Sequence, residues 1–193
     1  YELSKEVIKF LPWLVEDKLS GIHTLHGPDA GNGWVRAENE EIFLSQRTRL
    51  VIRIPKEKIE LAKKLEGQTL KVLGNNISIG KSNVKSFLVV PDLICRFVLS
   101  HKDACKDENE FLNKMINELT SCNILIKKAI CGKTKSLTID GEKRLGRSLM
   151  IADLSKENSV RLQDIGAGEG RVFGCGIFLP HKSIDAVANF KED

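Results

Sequence analysis

The chain has 193 residues, 41% of them hydrophobic and 29% charged, with a formal net charge of +4 at pH 7. That length suits one ordinary domain or two small ones, and so mild a charge means that binding to a polyanion must be argued from where the cations lie. No apolar run is long enough to cross a membrane and no secretory leader opens the chain, so a soluble cytoplasmic protein is expected rather than a membrane or exported one. Five cysteines, Cys95, Cys105, Cys122, Cys131 and Cys175, are odd in number and lack C-x-x-C spacing. Reduced, mostly buried thiols fit that pattern better than disulfides or a zinc site.

Leu3, Val7, Leu11 and Leu14 fall at helical spacing, and Pro12 forces a kink or an early end to this first helix. No initiator methionine precedes Tyr1, so the numbering is expected to start inside a longer polypeptide. Residues 21–33, GIHTLHGPDAGNG, read as irregular and hold His23 and His26. Strands are predicted over residues 41–44 and 48–54. In the second of these, Leu50, Ile52 and Ile54 share one face, while Arg49, Val51 and Arg53 share the other. Pro55 and Gly67 bracket a short helix with Ile59, Ala62 and Leu65 inward. Residues 70–73 and 77–79 then pair as strands across Gly74-Asn75-Asn76.

After Pro91 a strand is predicted over residues 93–99, then a helix over 107–120 with Phe111, Leu112, Met115, Ile116 and Leu119 on one stripe. Asp107 and Glu110 have the spacing of a capping box. Strands follow at residues 124–130, 135–139 and 147–154, with a turn at Asp140-Gly141. A helix capped by Ser155 runs to Ile165, and a last short strand covers residues 177–179. This second half approximates β-α-β-β-α-β, the ferredoxin-like arrangement, with one extra strand. The first half is the same unit without its opening strand, which is missing or lies upstream. The expected fold is therefore α+β, two tandem ferredoxin-like (RRM-like) modules over residues 1–90 and 91–193, with a glycine-rich loop near the C-terminus.

That loop, GAGEGRVFGCGIFLP over residues 166–180, contains Gly166, Gly168, Gly170, Gly174 and Gly176. Glycine reaches positive φ and lets a backbone approach a ligand closely. Bare N–H groups in such a loop make a concave anion site, and Arg171 places a cation in its middle. Phosphate is the ligand class this implies; a plain linker is the competing reading. A dinucleotide fingerprint needs a strand before its glycines and a helix after them. Here the order is reversed. A P-loop fails as well, because no Gly-Lys-Ser/Thr follows a strand, so no nucleotide cofactor is expected.

The cations do concentrate. Lys127, Lys128, Lys133, Lys135, Lys143, Arg144 and Arg147 lie in one stretch, opposed only by Asp140 and Glu142. A solvated strand pair explains this, and so does a surface for a nucleic-acid backbone.

Four pieces carry a family resemblance across nearly the whole chain: the opening VIKFLPWLVE; Gly21-Ile22-His23 followed by QRTRLVIRIP; the basic hairpin ending RSLMIADL; and LQDIGAGEGRVFGCGIFLPHK. Together they resemble the RAMP superfamily of CRISPR-associated proteins, specifically the endoribonucleases that cut CRISPR repeat RNA into guides, in the compact myxobacterial-type subgroup. Two departures stand out: the family's N-terminal strand is absent, and the glycine spacing in GAGEGRVFGCG differs slightly.

The resemblance implies metal-independent cleavage, in which a ribose 2′-OH attacks the adjacent phosphate and leaves a 2′,3′-cyclic phosphate and a 5′-OH. Such a step needs a base, an acid and cations for the phosphorane. The family's active histidine follows the first helix, which points to His23; His26 is the nearby alternative or the partner acid. His181 could touch RNA or cap the last strand, and His101 with Cys105 makes half a metal site with no other half. Arg47, Arg49, Arg53, Lys143, Arg144, Arg147, Arg171 and the loop glycines are the expected RNA contacts, and Trp34 could stack a base. The expected partner is CRISPR repeat RNA, with other effector subunits as further candidates. The alternative function is a non-catalytic RAMP subunit that binds guide RNA. A generic RRM-type binder is disfavoured, since aromatics are only 6% of the chain and no strand carries an aromatic motif.

Overall fold

A computed structural model describes residues 1–25, 44, 48–100 and 105–181. The molecule is α+β; among the described residues every strand pair is antiparallel, and buried side chains gather into two cores. One core takes Val7, Leu11, Leu14, Ile22, Leu65 and Leu70 from the N-terminal half. The other takes Leu93, Cys95, Phe111, Met115, Leu149, Ile151, Leu162 and Phe178 among others from the C-terminal half.

Helix α1, Glu2–Phe10, stops where the sequence says it must. Leu11 precedes Pro12 and takes φ −126°, ψ 65°, since the proline ring excludes the helical region from the residue before it. A 3-10 turn at Pro12–Leu14 then carries Leu14 into the core beside Val7 and Leu11. Strand β1, Gly21–Ile22, pairs with β2, Ile52–Arg53. The ladder is shorter than the predicted strand 48–54 because β1 offers only two residues. The alternation nevertheless holds: Leu50, Ile52 and Ile54 pack on the N-terminal core while Arg53 points away.

Helix α2, Ile59–Ala62, is flanked by 3-10 turns, and the hairpin of β3, Thr69–Val72, and β4, Asn75–Ser78, follows. Its turn sits at Leu73-Gly74, both at positive φ, and not at Gly74-Asn75-Asn76. Register explains the difference. Leu70 faces Ile77 across the ladder and both turn toward the core; a one-residue slip would expose them. Keeping Leu70 inside forces Leu73 into a left-handed conformation that leucine disfavours.

The C-terminal half forms a five-stranded sheet from β5, Leu93–Leu99; β6, Lys128–Cys131; β7, Lys135–Ile139; β8, Glu142–Ala152; and β9, Phe178–Pro180. Strand order is β6-β8-β5-β9, with β7 also paired to β8. That is the strand order of a β-α-β-β-α-β unit with one added strand. Helix α3, Glu108–Ser121, is capped by Asp107, whose side chain accepts from the Glu110 N–H. After α3, Asn123 takes φ 59° and the Ile124 N–H returns to the Leu119 carbonyl. Ile124 is thus the apolar residue that closes a helix C-cap, so β6 begins four residues later than predicted. Asp140 and Gly141 both have positive φ, the geometry of a tight type I′ hairpin turn. That turn lets β8 start at once, at Glu142, five residues before the predicted start. Helix α4, Lys156–Ile165, is capped by the Ser155 hydroxyl and ends at Gly166 with φ 69°. Among the described residues no helix is long and apolar enough to cross a membrane.

Candidate active site

The glycine loop between α4 and β9 sits against strand β1. All five of its glycines have positive φ, from 64° at Gly168 to 83° at Gly174. A Cβ on Gly174 would lie 2.7 Å from Thr24 Cγ2 and 3.3 Å from the Ile22 carbonyl oxygen. On the other side of the contact, a Cβ on Gly21 would lie 2.8 Å from Ile177 Cδ1 and 3.2 Å from the Arg171 carbonyl oxygen. Backbone therefore meets backbone here, with His23 between the two touching residues Ile22 and Thr24. The His23 N–H donates to the Val51 carbonyl at 3.0 Å, which extends the β1–β2 ladder by one residue. His23, Thr24, Leu25 and Ile22 line a cavity of about 270 Å³ together with Tyr1 and with Phe173 from the loop. The Tyr1 and Phe173 rings lie 5.8 Å apart, tilted by 44°.

The expected phosphate cradle is built differently. Bare N–H groups were expected in the loop, yet several are taken by the chain's own carbonyls. Ala167 donates to Gly176 O, Phe173 and Cys175 to Gly170 O, Gly174 to Arg171 O, and Gly176 to Phe97 O. The Gly168 N–H meets an anion, but one supplied by the chain itself: Glu118 Oε1 at 2.7 Å. The glycines permit close packing: a Cβ on Gly166 would sit 2.3 Å from Gly176 O, and one on Gly176 would sit 2.2 Å from Ala167 O. Burial also disarms the loop's thiol, pushing Cys175 up to about 12, and does the same to Cys95 in β5, up to about 11.

Three of the arginines expected to contact RNA are instead buried or half-buried donors to carbonyls. Arg147 is 7% exposed and donates to the carbonyls of Cys105, Gly132 and Lys106. Arg171 is 6% exposed and donates to Asp164 O and Leu19 O, both at 2.8 Å. Burial lowers the Arg171 guanidinium below its ordinary value, partly offset by Asp164 and Asp17. Arg53 donates to Gln163 O at 2.6 Å and Phe178 O at 3.1 Å, with its guanidinium 4.9 Å from the centre of the Phe87 ring. Burial, and then repulsion from Arg171, brings Arg53 down to about 10.

Arg49, Lys143 and Arg144 remain at the surface; Arg49 donates to Thr48 O and Arg144 pairs with Glu142. Lys127, Lys133 and Lys135 are exposed near the same hairpin. His26, Trp34, Arg47 and His101 lie outside the described residues. The His181 N–H closes onto Asp92 O at the end of β9, where a strand-capping role places it. Among the described residues no group of three or more His, Cys, Asp or Glu is gathered for a metal ion. Sequence reasoning missed Thr24, Phe173 and Glu118. The signal for the first was available, since Gly21 two residues before His23 hinted at a close backbone approach.

The fold and site thus define a two-core α+β protein in which a histidine-bearing N-terminal strand is packed against a C-terminal glycine loop. The family model described as Cas6 Crispr matches residues 1–183, and the chain belongs to the Cas6 family of CRISPR-associated proteins. It is 29% identical over 180 residues to the CRISPR-associated endonuclease Cas6 of Myxococcus xanthus (strain DK1622), covering 93% of this chain and 74% of that protein. It is similar to a solved CRISPR associated protein Cas6 with a TM-score of 0.64 at 12% identity, over 94% of this chain and 91% of that one. A Cas6-related protein from Pyrococcus furiosus gives the same TM-score of 0.64 at 16% identity, over 93% and 88% of the two chains. These structures share the fold. The resemblance to CRISPR-associated endoribonucleases drawn from the sequence is borne out at the level of the family.

Proposed function

We propose that this protein cuts CRISPR repeat RNA into guide RNAs without a metal ion, in the prokaryotic cytoplasm. His23 removes the proton from a ribose 2′-OH; the oxygen attacks the adjacent phosphorus, and the P–O5′ bond breaks as the leaving 5′ oxygen takes a proton from a general acid, for which His26 is the candidate. The products are a 2′,3′-cyclic phosphate and a 5′-OH. One observation carries the reading: His23 stands at the end of β1 with its neighbours Ile22 and Thr24 in contact with the loop glycine Gly174. A base held on a ladder and backed by packed backbone keeps its orientation as the reaction proceeds. The same RNA could be held for delivery to other effector subunits.

Incubating the protein with its host's repeat RNA in EDTA, then identifying the product ends, tests the reaction. Cyclic phosphate and 5′-OH ends are expected; 5′-phosphate ends, or cleavage only with added divalent metal, would refute it. The exposed hairpin cations supply the RNA surface in this reading. Lys143→Gln with Arg144→Gln should weaken RNA binding and flatten the slope of log affinity against log salt by about 0.7 per lost contact. An unchanged slope in filter binding would take the hairpin out of the interface.

A further inference from the structure

Two guanidinium groups, one from each core's side of the chain, converge on the C-terminal end of α4. Arg53 reaches the carbonyl of Gln163, and Arg171 reaches the carbonyl of the next residue, Asp164. The last carbonyls of a helix have no intrahelical partner and carry its partial negative charge, so both contacts satisfy an otherwise orphaned group. Each arginine then makes a second bond. Arg53, from β2, also holds Phe178 O in β9; Arg171, from the loop, also holds Leu19 O just before β1. Arg53 is itself the ladder partner of Gly21. Both strands of the ladder that carries His23 are therefore tied to the C-terminal half, in reciprocal directions. Two like charges side by side in a desolvated place are costly, which singles out a geometry that a simple packed interface would not need.

We infer that Arg53 and Arg171 form a reciprocal clamp that positions β1, and His23 at its end, against the glycine loop, and that neither is an RNA phosphate ligand. The inference rests on His23 being the base proposed above. Arg53→Lys and Arg171→Lys keep the charge and remove the planar fork that spans two carbonyls. Single-turnover cleavage at saturating repeat RNA is expected to slow about ten- to a hundredfold in each, because a small misplacement of a reacting group has effects of that size. RNA affinity should stay within about threefold, and the double variant should be little slower than the worse single one, as for residues acting as a unit. Wild-type cleavage by both lysine variants overturns the clamp, as does weakened affinity with an unchanged saturated rate. Should the variants fail to fold, the wild-type protein decides by NMR. The Nη protons of Arg53 and Arg171 should be protected from solvent exchange and unmoved by saturating 2′-deoxy repeat RNA. Rapidly exchanging or RNA-shifted signals overturn the inference. A His23→Ala protein that cleaves normally would remove the base assignment alone, while the guanidinium signals still decide the clamp.

Discussion

Replacing His23 by alanine should slow cleavage of repeat RNA by about 10²–10⁴-fold, the usual contribution of one acid or base, and leave RNA affinity nearly unchanged. The split between rate and affinity follows from where the residue sits. The His23 backbone stays in the β1–β2 ladder through its bond to Val51, whatever its side chain. Its neighbours Ile22 and Thr24 keep their contacts with Gly174, so the loop is not disturbed by losing an imidazole. The hairpin cations that would hold the RNA belong to β8, on the other core. Single-turnover cleavage and filter binding on the same preparations give both quantities. His26→Ala belongs in the same series. If neither variant changes the cleavage rate, the active-site assignment is wrong and a guide-binding subunit becomes the better reading.

Gly176→Ala should be among the most destabilising single substitutions in the chain, at about 4 kcal/mol. Two effects add. At φ 67° an L-residue bears a left-handed penalty of about 1–2 kcal/mol. The new methyl would also lie 2.2 Å from the Ala167 carbonyl oxygen, which itself is backbone held in the loop, and overpacking of this kind costs about 1–3 kcal/mol. For a chain of this length that is a fall in Tm of roughly 10 °C. Gly141→Ala separates the two effects. Gly141 has a similar φ of 76°, but nothing within 4 Å of its added Cβ, so only the conformational penalty of about 1–2 kcal/mol applies. Equal melting temperatures for the two variants would show that the loop gives way easily and that its close packing contributes nothing.

The close packing also explains why the loop was misjudged as a bare anion cradle. Five glycines in eleven residues do signal positive φ and close approach, and both are found. What the glycines approach is the chain's own backbone, at Ala167, Gly176, Ile22 and Leu99. Composition says that a Cβ is not tolerated; it does not say which atom would collide with it.

Much of the local physics was legible. Pro12 had to end α1, Asp107 and Ser155 had to cap their helices, and Leu50, Ile52 and Ile54 had to share a face, because each rule acts within a few residues. The pattern of apolar runs likewise gave the α+β class, and the four motif pieces carried the family resemblance. The family resemblance pointed to His23 after the first helix, but nothing in the sequence said that its neighbours Ile22 and Thr24 would lie against a loop some 150 positions away. The fate of the arginines lay wholly in the tertiary structure. Arg53, Arg147 and Arg171 look in sequence like the exposed Arg144, since a guanidinium on a strand or loop suits water, a phosphate or a carbonyl equally well. Only the folded chain brings Gln163 and Phe178 to Arg53, and Leu19 to Arg171, across more than a hundred residues. Periodicity records which side of an element is buried, whereas the partner of a polar group depends on what the fold places opposite it.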